Sequence, residues 1–235
     1  MLDFSQFVAI TFDCYGTLID WESGILKAIR PILSVRGIQA PDDEVLAHYA
    51  RLEASAEGGD YMPYRDVLRS VVRGIGEAYG FTPEAREEDR LPESVGRWQP
   101  FPDTIEALGS LGSRYRPAVI SNIDNDLFAQ TQNILGEEFE RVVTAEMCRS
   151  YKPHRRNFNT MLALLDLPPE KVLHVAESLY HDIKPAKELG MKTVWVNRRK
   201  ARGGGPGASG TAEAAPDMTV ETLGELAAAA SFDGV

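Results

Sequence analysis

Five short stretches rich in β-branched residues recur along the chain, and most of them run straight into a polar residue. They are FVAITFD (7–13), RPAVISN (116–122), RVVTA (141–145), KVLHVAE (171–177) and KTVWVN (192–197). Little apolar–polar alternation within a stretch predicts strands covered on both faces, the habit of parallel sheets. Helical patterns lie between them. Asp103 is placed to cap a helix carrying Ile105, Leu108 and Leu111, and Asp124 one carrying Leu127 and Ile134. Met161, Leu162 and Leu165 share a helix face, as do Ile183, Ala186 and Leu189, with Gly190 as a stop. Strand alternating with helix predicts an α/β fold built on a doubly wound parallel sheet.

Residues 21–98 break that rhythm. They show only helical spacing: Ile25, Ile29, Ile32 and Leu33; Val45, Tyr49, Leu52 and Ala56; Val67, Leu68, Val71, Val72 and Ile75. Pro31 inside the first pattern predicts a kink or a late start. The expected organisation is a core of 1–20 and 99–235 with a small all-helical insert, 21–98, after the first strand. WQPFPD (98–103) reads as the return linker, and ARGGGPGASGTAEAAP (201–216) as a mobile low-complexity stretch before a last strand and helix.

The formal net charge of −10 gives no electrostatic reason to bind nucleic acid or an anionic membrane. A small anionic substrate would need a locally positive site. Cys14 and Cys148, without metal-ligand spacing, argue against a disulfide framework and structural zinc. With no signal-like N-terminus and no long apolar run, the expected location is the cytoplasm. Tyr61, Met62 and Tyr64 suit either a substrate pocket or a homodimer surface.

In open parallel sheets, ligands sit at the carboxyl ends of the strands. Asp13, Ser121, Asn122, Glu177, Ser178 and Asp182 end or follow the predicted strands, and Lys152 lies in SYKP. A carboxylate, small donors, a cation and a second carboxylate therefore converge by topology. The same residues carry a likeness. Phe12-Asp13-Cys14-Tyr15-Gly16-Thr17-Leu18 resembles the first motif of the haloacid dehalogenase superfamily, Ser121-Asn122 the second and Tyr151-Lys152-Pro153 the third. Val175-Ala176-Glu177-Ser178 through Asp182-Ile183 resembles the fourth, and the helical insert falls where that superfamily carries its smaller cap.

The resemblance implies that Asp13 is a nucleophile forming a covalent ester. Lys152 would keep it ionised, Thr17 would hold one oxygen and leave the other free, and Gly16 would permit the sharp turn. Ser121 and Asn122 would donate to substrate or to developing charge, unless they only shape the turn. Asp182 would orient or deprotonate the hydrolytic water. Tyr15 stands where the superfamily's phosphatases carry an acid that protonates an alkoxide; a halide needs no such proton. This favours the 2-haloacid dehalogenase branch, without a cofactor or metal. In that branch a cap arginine receives halide or carboxylate, a role that falls to Arg51, with Tyr15 and Ser178 also at the substrate; Tyr15 could equally just pack beneath the insert. Glu177 points the other way, because carboxylates there hold Mg²⁺ in phosphatases, and the alternative metal set is Asp13, Glu177 and Asp182. Glu177 paired with Lys152 is the structural option. Phe158 stands where the branch has an aromatic hydroxyl.

Overall fold

In a computed structural model, residues 2–201 and 213–232 are described. The stretch expected to be mobile, 201–216, falls mostly outside them. β1 (Ala9–Phe12) is followed by α1 (Trp21–Ser34), α2 (Asp42–Glu57), α3 (Tyr64–Ala78) and α4 (Ala85–Glu88), with no strand among them. Then come α5 (Thr104–Gly112), β2 (Arg116–Ser121), α6 (Asn125–Leu135), β3 (Arg141–Thr144), α7 (Ala145–Cys148) and α8 (Arg155–Leu165). The chain closes with β4 (Val172–Ala176), α9 (Lys184–Glu188), β5 (Lys192–Val196), α10 (Arg198–Ala201), β6 (Met218–Val220) and α11 (Leu223–Phe232). No helix among the described residues is long and apolar enough to cross a membrane.

The six strands form one parallel sheet in the order β3-β2-β1-β4-β5-β6. Alternate residues serve its two faces, as the two-residue period of a strand requires. Ile10, Phe12, Val119 and Leu173 join Leu108 of α5 and Leu226 of α11 in one apolar cluster. Ala9, Ala118, Ile120 and Val143 join Phe158 and Met161 of α8 and Ala186 of α9 in the other. The helices between β1 and β2 extend the first cluster through Ile25, Ile29, Tyr49, Leu68 and Val71. The chain reverses its direction of travel beside β1, which makes the carboxyl edge between β1 and β4 the switch point of the sheet.

Three local expectations change in the folded chain. α1 runs through Pro31 without interruption, because Ile25, Ile29, Ile32 and Leu33 bury one face of it and outweigh the missing hydrogen bond. Asp103 does not cap α5. Its carboxylate takes the Leu223 and Gly224 N–H groups at 2.7 and 3.2 Å, opening α11, and pairs with Arg198 at 2.7 Å. Asp124 likewise leaves α6, where Glu146 takes the Asn125 N–H at 2.7 Å. Asp124 accepts instead from the Tyr64 and Arg65 N–H groups, at 2.8 and 2.9 Å, in the first turn of α3. A buried carboxylate from beyond β2 thus satisfies the orphan amides of an insert helix.

Asp124→Ala strips α3 of that cap and should lower unfolding free energy by about 1–2 kcal/mol, with Asp124→Asn losing less. Urea titration with an unchanged m-value reads this; equal stability of all three proteins would refute it.

Candidate active site

Phe12 lies opposite Val119 on one side and Val175 on the other, so Asp13, Ser121 and Glu177 emerge at one edge of the sheet. The chain then turns sharply at Gly16, whose φ of 94° lies where a side chain is disfavoured. The turn brings Thr17 back onto Asp13. Thr17 Oγ1 accepts from the Glu177 N–H at 2.9 Å and donates to Asp13 Oδ2 at 2.7 Å, so its proton has one direction to point.

Lys152 is buried beneath this edge. Its Nζ donates to Asp13 Oδ1 at 2.8 Å, to Asp182 Oδ1 at 2.7 Å and to the Ile120 carbonyl at 2.9 Å. An ammonium has three N–H bonds, and all three are used. Both oxygens of Asp13 therefore carry a hydrogen bond, and neither is free in the sense that the sequence implied; each keeps a lone pair. Burial works to lower the Lys152 pKa, but the two carboxylates outweigh it and raise it. Burial pushes the Asp13 carboxyl up, with Lys152 opposing and Asp182 adding to the rise. At Asp182 burial is outweighed by Lys152 and His174, and the group lies below the usual carboxylate range.

His174, in the middle of β4, was not among the predicted site residues. Its Nε2 lies 3.0 Å from Asp182 Oδ1 and its Nδ1 2.9 Å from Thr11 Oγ1, with Phe158 edge-on at 5.3 Å. A histidine interrupting an otherwise apolar, fully buried strand is the signal that marks it. Asp182 Oδ2 and Ser121 Oγ are buried and have no hydrogen-bond partner among the described residues.

A cavity of about 50 Å³ lies over these groups, and Asp13, Tyr15, Ser121, Asn122, Lys152, Ser178 and Asp182 all line it. Asn122 also clamps the lysine segment, accepting from the Lys152 N–H at 2.7 Å. Ser178 Oγ accepts from the His181 N–H at 3.0 Å. The Tyr15 ring faces the cavity, but its hydroxyl is engaged with Thr131 Oγ1 at 2.8 Å and burial raises its pKa far above the usual range. His181, a second residue missed from sequence, also lines the cavity; burial lowers its ring to about 4, so it is neutral at neutral pH.

Arg51 is a correction. It lies exposed on α2, its guanidinium 3.2 Å from His48 Nδ1, and it does not line the cavity. The face that does carries Glu53 and Glu57. Two residues along a helix is a turn of about 200°, so Arg51 and Glu53 must point to opposite sides. Tyr49, Glu53 and Glu57 recur every fourth residue along one edge of the face read as Val45, Tyr49, Leu52 and Ala56, all four of which pack in the first apolar cluster. Glu53 Oε1 meets the Tyr49 and Tyr64 hydroxyls at 2.7 and 2.6 Å, and those hydroxyls lie 2.8 Å apart. Three contacts among three oxygens need three protons, and the tyrosines bring two. Burial duly raises Glu53 to about 7, and pushes Glu57 well above the carboxylate range with Glu53 adding to the rise.

Glu177 is also turned away. Its carboxylate lies 3.5 Å from Arg199, on the wall of a separate cleft with Trp21 and Arg198. It pairs with Arg199 and not with Lys152, and it does not converge with Asp13 and Asp182. Among the described residues no three His, Cys, Asp or Glu side chains are grouped to hold a metal ion. The Mg²⁺ set of Asp13, Glu177 and Asp182 does not fit this geometry.

Residues 7–190 match the family model for haloacid dehalogenase-like hydrolases. The chain belongs to that family. Among its relatives, (S)-2-haloacid dehalogenase 1 of Pseudomonas sp. (strain CBS-3) is 26% identical over 196 residues, covering 81% of this hydrolase and 84% of the relative. Glyceraldehyde 3-phosphate phosphatase of Methanocaldococcus jannaschii is 40% identical over 166 residues, covering 60% and 70%. The solved L-2-haloacid dehalogenase of Xanthobacter autotrophicus has a TM-score of 0.79 at 22% identity, covering 94% of this chain and 97% of its own, a likeness of fold.

Two outcomes follow for this hydrolase. With Arg51 outside the cavity, Arg51→Ala should leave kcat/KM within about twofold of the parent, as surface changes do; a loss of about a hundredfold would put it back in the site. The raised Glu53 keeps its proton in the folded state while the unfolded chain has lost it. Stability should therefore fall as pH rises from about 4.5 through about 7, and Glu53→Gln should flatten that slope. Urea midpoints across pH read this, and parallel slopes would refute it.

Proposed function

We propose that this hydrolase cleaves the carbon–halogen bond of small 2-haloacids through an aspartyl ester on Asp13. The observation that carries the reading is a carboxylate at the tip of β1 gripped by Lys152 and Thr17, with Tyr15 two residues on and its hydroxyl engaged by Thr131. Tyr15, whose hydroxyl is committed to Thr131, offers no proton to an alkoxide, and a halide needs none. The name of the Pseudomonas relative supports the same chemistry.

In the first step an Asp13 oxygen attacks the substrate α-carbon from behind, an ester bond forms, and halide leaves with the bonding pair. Ser121 Oγ, buried and unpartnered, is the donor available to the substrate carboxylate or to charge building on the Asp13 carbonyl. In the second step water adds to the Asp13 carbonyl carbon and the ester C–O bond breaks; one water proton passes to the departing alkoxide, the other is released past Asp182 to solvent, and the hydroxy acid leaves with the Asp13 carboxylate restored. Asp182 Oδ2, free of partners, orients that water. Its lowered pKa makes it a positioning group more than a base. The helical segment 21–98 serves as a cap that excludes bulk water from the ester. Asn122 meets its Glu57 at 3.2 Å, and Tyr151 donates to the Met62 carbonyl at 2.8 Å.

The phosphatase relative favours a second reading, hydrolysis of a small phosphate ester. The orientation of Glu177 toward Arg199 disfavours the metal site that reading calls for.

Halide release from 2-chloropropionate should survive EDTA, and p-nitrophenyl phosphate hydrolysis should not respond to Mg²⁺; the opposite pair of results would favour the phosphatase. Single turnover in ¹⁸O water should label the Asp13 side chain before the product. Asp13→Asn should fold normally and lose at least about a thousandfold in kcat. Label confined to product would exclude the ester.

A further inference from the structure

The cavity over Asp13 adjoins a far larger one. The first holds about 50 Å³ and the second about 540 Å³, and Glu57, Lys152 and His181 belong to the walls of both. Their electrostatics differ. The inner cavity has Lys152 as its cation, with every N–H spent, and Glu53 and Glu57 facing it from α2. The outer one is lined by Arg149 and Arg156.

Two guanidiniums on one cavity wall are a local concentration of positive charge in a chain with ten more acidic than basic residues, 35 against 25. Arg36, Arg73, Arg116 and Arg198 all pair with carboxylates, and so does Arg155, next to Arg156 in sequence. Among the described residues Arg149 and Arg156 form no such pair, and both are exposed. Arg149 sits 5.1 Å over the ring of Tyr61, whose hydroxyl is buried in the same neighbourhood without a hydrogen-bond partner. Arg149 also ends α7 at φ 46°, where glycine is the favoured residue, so its side chain is kept against a backbone preference. An anion reaching this chamber meets two planar donors.

We infer that the outer cavity is a second subsite of the same active site, and that it receives the distal carboxylate of a 2-halo dicarboxylic acid. This rests on the dehalogenase reading for the reaction at Asp13. The reacting carbon occupies the inner cavity, the chain of the substrate passes Glu57 and His181, and the far carboxylate meets Arg149 and Arg156. The arrangement supplies the local positive charge that a strongly acidic protein needs for an anionic substrate, in a cavity that shares Glu57, Lys152 and His181 with the one over the nucleophile.

The test compares 2-bromohexanedioate with 2-bromohexanoate, which differ in the distal carboxylate. In low salt, kcat/KM for halide release should favour the diacid by about tenfold or more, a hydrogen-bonded charge's contribution. The ratio should fall to near one in the Arg149→Gln, Arg156→Gln double variant and persist in Arg86→Gln, which removes the same charge from the exposed face of α4. Calorimetry with unhalogenated hexanedioate separates the two claims, because it needs no turnover. Hexanedioate binding that weakens about tenfold in the double variant supports the subsite even where no bromo acid is hydrolysed, in which case the dehalogenase reading alone falls. Binding indifferent to the two arginines, or no tighter than that of hexanoate, overturns the subsite whatever the turnover.

Discussion

One ammonium group holds this site together. Lys152 Nζ bonds two carboxylates and a main-chain carbonyl that come from three separate parts of the chain: β1, the end of β2 and the turn after β4. All of it is buried, so the charges cannot be screened by water. Removing the lysine from such a cluster leaves two buried carboxylates uncompensated, about 3–5 kcal/mol of destabilisation, whereas without Asp13 the lysine still has Asp182. The network runs further on both sides. Thr11 and His174 steady Asp182, and the Glu177 N–H fixes Thr17, which fixes Asp13. The nucleophile is thereby positioned by groups that are themselves constrained, which is what a covalent displacement with a short approach distance requires.

The helical segment between β1 and β2 is tied to that platform by polar contacts at points where apolar packing alone would leave it free to slide. Asp124 caps α3, Tyr151 holds the Met62 carbonyl and Asn122 reaches Glu57. Asn122 is notable for clamping Lys152 with its other end. Movement of the segment therefore bears directly on the lysine beneath the nucleophile.

Within the haloacid dehalogenase-like hydrolases, this chain departs from the dehalogenase pattern on the insert side of the cavity. Glu53 and Glu57 line the cavity with Asp13, and the guanidiniums of Arg149 and Arg156 line the adjoining one. Burial keeps the Glu53 and Glu57 carboxyls above their ordinary range, so they present hydrogen-bonding surface more than full negative charge. On the platform side Asp13, Thr17, Lys152 and Asp182 are joined by hydrogen bonds, while Glu177 and Phe158 differ from the branch that the sequence resembles.

By itself the sequence determined the sheet, its helical interruption and the platform of Asp13, Thr17, Ser121, Asn122, Lys152 and Asp182. Strand burial is written in runs of apolar residues, and in a parallel sheet the residues that end the strands are brought together by topology. What it could not determine is which way a helix is turned about its axis, or which distant amide a carboxylate finds. α2 reads with Leu52 inward, and Leu52 does pack against the core, but spacing does not say that Glu53, about 100° further round, is buried as well. Tertiary structure buried Glu53 too, because the tyrosines of α2 and α3 close around it. It likewise sent Arg51 to solvent, Glu177 to Arg199, and Asp103 and Asp124 to helices far from their own. In each case a side chain's partner lay across the fold, where local spacing carries no information.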